Sequence, residues 1–158
     1  MKKILFLATF IFCASVNAED KFYFVEDDNA KMDAAMNKAK STLDHFLQKA
    51  KERSTDYDAY GAYIKVKENG ETEFLWLVDV KPYDDKYLMG VLISKPRLIT
   101  SYKYGQTIGF LPSDIYDWQL KNSKTGVITG GYTICAMSDP NKPENVAYLK
   151  DNNFDCNS

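Results

Sequence analysis

The spacing of apolar positions changes character near residue 60. Before it, Met32, Ala35, Met36, Ala39, Leu43, Phe46, Leu47 and Ala50 recur every three or four residues. That is one apolar stripe on a helix over residues 30–52. Asp28 or Asn29 can cap its start by accepting from free backbone N–H groups. Lys49, Lys51 and Arg53 crowd its end, where positive charge suits the helix dipole. Residues 54–60 are a polar linker. Beyond them the period becomes two. Ala62, Ile64 and Val66 alternate with Tyr63, Lys65 and Lys67, and Phe74, Trp76, Val78 and Val80 alternate with Glu73, Leu75, Leu77 and Asp79. Asn69-Gly70 lies between the two runs, a type I′ hairpin signal because both central residues of that turn need positive φ. The spacing predicts an antiparallel hairpin with Trp76, in phase with Phe74 and Val78, facing the core. Further strands are expected over residues 87–94, 106–111 and 118–120. A last strand is expected over 127–137, where Gly130-Gly131 signals a bulge or a close backbone approach.

One long helix followed by an antiparallel meander predicts the α+β class, with the N-terminal helix packed on a curved antiparallel sheet of four to five strands. A cystatin-like arrangement and a small open barrel both satisfy that order. The single α+β domain is expected over residues 29–137, preceded by an arm over 19–28 and followed by a polar C-terminal tail over 138–158.

The first 18 residues read differently. Lys2 and Lys3 precede an apolar run over residues 4–14, and Val16-Asn17-Ala18 places small or short side chains before the acidic Glu19-Asp20. This is the pattern of a secretory signal peptide cleaved after Ala18, and the run is too short to span a membrane. Phe12, in front of Cys13, is too large for a lipoprotein signal. The expected location is periplasmic or secreted. Removing the leader takes away Lys2 and Lys3 and leaves 18 basic against 22 acidic residues. That balance argues against a nucleic-acid partner. No later stretch is long and apolar enough to span a membrane. Cys135 and Cys156 remain, and two cysteines in an oxidising compartment read as one disulfide.

Motifs for catalysis are sparse. The single histidine, His45, falls off the helical stripe and is expected at the surface. With one histidine and an expected cystine, a zinc site rich in histidine or cysteine is hard to assemble, a serine nucleophile would need His45 as its base, and no Gly-rich phosphate loop occurs. No metal and no cofactor is expected. Glu73, Asp79, Asp114 and Asp117 are carboxylates that could pair across a cleft for hydrolysis, which requires two of them about 5–9.5 Å apart. The competing role is structural: Asp114 and Asp117 can accept backbone donors around the turn at residues 112–118, with Ile115 pointing inward. Trp118 follows that turn and suits either the core or a contact surface. Asp114, Asp117 and Trp118 are therefore the candidate binding residues.

Glu73-x-x-Trp76, Gly90 with Pro96, Gly105, Asp114-Ile115-x-Asp117-Trp118 and the glycine before Tyr132-Thr133 together resemble domain-of-unknown-function family 2314, the YegJ-like exported proteins. The likeness covers residues 61–137. It departs at Gln106, Ser94 and Ile134-Cys135, where the family tends to carry an acid, an asparagine and an arginine. The resemblance implies a fold and an exported location, and no reaction.

Small size, export, a disulfide and the lack of catalytic motifs fit a non-catalytic binding module of the bacterial cell envelope, of the inhibitor or immunity type, with an envelope or secreted protein as partner. The alternative class is a small envelope hydrolase or ligand carrier using carboxylates in a sheet cleft.

Overall fold

The computed structural model describes residues 30–157. The leader, its cleavage site, the N-terminal arm and the expected cap residues Asp28 and Asn29 lie outside the described residues. Two helices open the fold, α1 (Ala30–Ser41) and α2 (Leu43–Glu52), where one continuous helix was expected. The break has two causes, one local and one distant in sequence. The Ser41 and Thr42 hydroxyls both donate back to the Lys38 carbonyl, at 2.8 and 2.9 Å, a pattern that bends helices. The Ala39 carbonyl is taken by the indole Nε1–H of Trp118 at 3.1 Å, a side chain inserted into the helical ladder. Met32, Ala35, Ala39, Phe46 and Ala50 are buried as the stripe predicts, and His45 is exposed.

Six strands follow: β1 (Tyr57–Glu68), β2 (Glu71–Pro82), β3 (Leu88–Leu92), β4 (Thr107–Phe110), β5 (Ile115–Asn122) and β6 (Ile128–Gly130). They form one antiparallel sheet in the order β4-β3-β2-β1-β5-β6, one strand more than expected, and an open sheet with β4 and β6 at its two edges. The hairpin of β1 and β2 closes at Asn69-Gly70, both at positive φ (51° and 88°), and its register pairs Tyr63 with Trp76 and Ile64 with Leu75. A 3-10 turn, Pro112–Asp114, carries the chain from β4 across to β5 on the far side of β1.

One face of the sheet packs on the helices. Tyr60, Ala62, Ile64, Leu75, Leu77 and Leu92 supply this core from the centre of the sheet, Ile108 and Phe110 from the β4 side, and Ile115, Trp118 and Leu120 from β5. Leu75 and Leu77 therefore face inward, and Trp76 does not, which corrects the alternation expected for β2. The strand changes phase only later, at Asp79. That residue stands at φ 51° in an irregularity between Val78 and Lys81, which returns Val80 to the core face while Val78 stays on the other. One extra residue in a strand shifts every later side chain across the sheet.

The last expected strand is also corrected. After β6 the chain turns at Gly130 and Gly131, with φ of 80° and 64°, into helix α3 (Tyr132–Met137). A side chain on Gly130 would collide with the Trp118 carbonyl and ring, so the close backbone approach is real and the continuation as strand is not. The expected polar tail holds helix α4 (Pro143–Asp151), and Phe154 makes an isolated parallel bridge with Ile128.

Candidate functional site

Asp117 and Trp118 are neighbours on β5, and both are buried. Asp117 is fully buried. One of its oxygens accepts from the backbone N–H of Thr133 at 2.7 Å and from the Thr133 hydroxyl at 2.6 Å, and the other accepts from the N–H of Trp118 at 2.8 Å. Its main partners thus come from the start of α3 and not from its own turn. Burial pushes the Asp117 carboxyl up to about 6, and the bonds from Thr133 and Trp118 hold it from rising further. Trp118 is 3 % exposed. Its ring stacks on Phe46 at 5.7 Å and meets Tyr132 edge-on at 5.8 Å. Asp114 takes the third expected place: it accepts from the N–H of Leu111 at 2.9 Å and closes the 3-10 turn, with Ile115 buried beneath.

The remaining carboxylates are spent in the same way. Glu73 accepts from the N–H groups of Arg97, Leu98 and Ile99, at 2.9, 3.0 and 3.1 Å. Glu68 accepts from Thr100 N–H at 2.6 Å and from the Ser101 hydroxyl. Together these pin the long loop over residues 93–106 to the hairpin tip. Asp79 joins Lys81 at 2.8 Å and Arg53 at 3.1 Å, and these partners hold its carboxyl below the usual range. Among the described residues no group of three histidines, cysteines or acids could hold a metal ion.

Aromatic side chains gather on the sheet face opposite the helices. Tyr63 stacks on Trp76 at 5.0 Å and on Phe74 at 5.4 Å, and Tyr116 meets Phe74 edge-on at 5.1 Å. Val78 on β2 and Val91 on β3 extend the patch, and all of these side chains are half-buried. Burial, with Asp117 and Glu73 adding negative charge, pushes the Tyr63 hydroxyl up to about 12. Sequence reasoning missed this cluster because it placed Trp76 in the core. The signal was nevertheless present: the Asn69-Gly70 turn sets Tyr63 opposite Trp76 and Lys65 opposite Phe74.

A groove of about 430 Å³ lies beside this patch, between β1 and β4, with Asp114 and Tyr116 in its wall. On the far side of the molecule Cys135 and Cys156 stand at disulfide distance, with Cα atoms 5.7 Å apart, and tie α3 to the segment after α4. No described helix is long and apolar enough to cross a membrane.

A six-stranded antiparallel sheet with helices packed on its core face and an aromatic cluster outside the core defines a small α+β domain. The chain belongs to the bacterial family DUF2314, described as an uncharacterized protein conserved in bacteria, which matches residues 29–155. The match takes in α1, α2 and α4 as well as the sheet. No curated protein and no solved structure matches the chain.

Proposed function

We propose that this protein is a binding module of the bacterial cell envelope that docks a partner protein on the open face of its sheet. The observation that carries the reading is the cluster of Tyr63, Phe74, Trp76 and Tyr116, four half-buried aromatic rings in mutual contact outside the buried core. Aromatic side chains combine large contact area with few rotatable bonds and dominate binding hot spots. Lys65 and Lys67 border the cluster, an apolar centre with a charged rim. The leader pattern of the first 18 residues and the Cys135–Cys156 pair support an exported location. The partner is an envelope or secreted protein, and the module acts as an inhibitor or immunity-type protein by covering it. Asp117 and Trp118 serve this surface from behind: they fix β5 to α1 and α3.

One observation favours the hydrolase or ligand-carrier class, namely that Asp114 lines the groove beside the cluster. Its carboxylate already holds the Leu111 N–H, and no second carboxylate lines that groove. The binding reading is therefore preferred.

Affinity capture from envelope extract, with the protein and its Trp76→Ser and Tyr63→Ala variants as baits, tests it. A partner retained by the parent and lost by both variants is the expected result. Equal retention by all three baits would remove the open face from the account.

A further inference from the structure

The groove beside the aromatic cluster is bounded by two strand edges that lack partners. β5 pairs with β1 only as far as Ile64, opposite Ile115. From residue 65 to residue 68, β1 is bonded to β2 alone, and no further backbone hydrogen bond of these residues occurs among the described residues. β4 is the terminal strand of the sheet and is bonded to β3 alone. The sheet curls so that these two edges line the same groove: Lys65, Val66 and Lys67 on one side, Ile108, Gly109 and Phe110 on the other. Gly109 leaves its stretch of β4 bare. A side chain there would meet only the Leu88 carbonyl, at 3.8 Å. Glycine inside a strand with free space beside it is where another backbone can come close.

Charge narrows what can enter. The Lys65 ammonium lies 5.4 Å from the Tyr116 ring centre and 5.6 Å from that of Phe74, and Lys40 from α1 lies 4.3 Å from the same Tyr116 ring. Lys40, Lys65 and Lys67 have no carboxylate at ion-pair distance among the described residues. Asp114 is the one acid in the groove wall. The chain as a whole carries −2, so Lys65 and Lys67 in the groove wall, with Lys40 over the Tyr116 ring, run against its overall charge. Lysines on an open edge repel a second copy of the same edge. They attract an edge of opposite charge, because opposite charges directly across a strand pair stabilise it.

We propose that this seam is a strand-addition site for an extended acidic peptide segment. The segment would lie between β1 and β4, give its backbone N–H and C=O groups to the two free edges, and set its carboxylates against Lys65, Lys67 and Lys40. Its length is short: four residues of free β1 edge span about 13 Å. The inference rests on the reading of the protein as a binding module and assigns one part of the partner, a segment that is extended and acidic.

Three synthetic peptides test it, followed by the amide spectrum and amide hydrogen exchange of the whole protein. The first alternates glutamate and valine, the second replaces glutamate with lysine, and the third is the acidic peptide with alternate amides N-methylated. The acidic peptide is expected to bind saturably, to shift the amides of residues 65–68 and 107–110, and to slow their exchange. The lysine and N-methylated peptides are expected to bind at least about tenfold more weakly. The double variant K65E/K67E, altered at side chains that are not in the core, is expected to exchange the preference and take the lysine peptide. Equal binding of acidic and lysine peptides, undiminished binding of the N-methylated peptide, or shifts confined to Tyr63 and Trp76 would each overturn the proposal. Slow exchange, in the free protein, of those amides of residues 65–68 and 107–110 that point away from β2 and β3 would overturn it as well. Trp76→Ser leaves the seam intact, so acidic-peptide binding to that variant is expected at the parent level. Failure of the peptide arm with success of the envelope capture rejects the seam alone, and the reverse rejects the aromatic face alone.

Discussion

The two tryptophans lie on opposite faces of one sheet and illustrate two uses of the same side chain. Trp118 is buried, stacked on Phe46, and donates its indole N–H to Ala39. Trp76 is half-buried on the open face and stacks on Tyr63. The first closes a core and breaks a helix in doing so. The second completes a half-buried aromatic patch outside the core. The contrast teaches that strand phase, and not side-chain type, separates the core face from the open face in this molecule, and that an irregularity such as the one at Asp79 resets the phase of the residues after it.

The largest effect should come from the packed face. Trp118→Ala removes the central ring of the helix-sheet contact and is expected to cost about 3–5 kcal/mol, measured by urea unfolding. Trp76→Ser, away from the core, should stay within about 0.5 kcal/mol of the parent if its packing is dispensable. Similar losses for the two variants would break the comparison.

Next comes the tie between Cys135 and Cys156, 21 residues apart. In the chain-entropy model a loop of this length contributes about 3 kcal/mol. Replacing both cysteines by serine should lower the unfolding midpoint and speed amide exchange in α3 and α4, while the β1–β2 hairpin remains protected.

Asp117 follows. Asp117→Ala strands the buried Thr133 N–H and hydroxyl and should cost about 1–3 kcal/mol. Its titration has a definite sign. The folded-state value, about 6, is raised above the ordinary 3.8, so between these values the folded chain holds a proton that the unfolded chain has released. The stability this gives is complete below about 4 and is lost as the pH rises through about 6. Unfolding curves at both ends of that window, for the parent and for Asp117→Asn, should show the decline in the parent alone.

The smallest structural effect is expected at Asp114. Asp114→Ala frees the Leu111 N–H in a half-exposed turn and should cost about 0.5–2 kcal/mol. Circular dichroism melts would check it, and a loss beyond that of Asp117→Ala would reverse the ranking of the two acids.

Much of the architecture was legible in the sequence. The apolar stripe located the helical segment that α1 and α2 divide, Asn69-Gly70 located the hairpin, and the Asp114-Ile115 pair located a turn with Ile115 inward. What escaped depends on contacts distant in sequence. The helix break at Thr42 needs the Trp118 indole, 79 residues from Ala39. The change from strand to helix after Gly131 needs the Asp117 carboxylate, 16 residues from Thr133. β2 is apolar on both faces, so alternation alone could not tell Trp76 from Leu75. The aromatic cluster was hidden for that reason, although the hairpin register already paired its members.

The account turns on Trp76 being a contact residue and not a packing residue. The most direct test is a paired measurement on Trp76→Ser: its urea midpoint and its retention of the partner captured by the parent. An unchanged midpoint with the partner lost is the predicted result. A partner retained by the folded variant would contradict it.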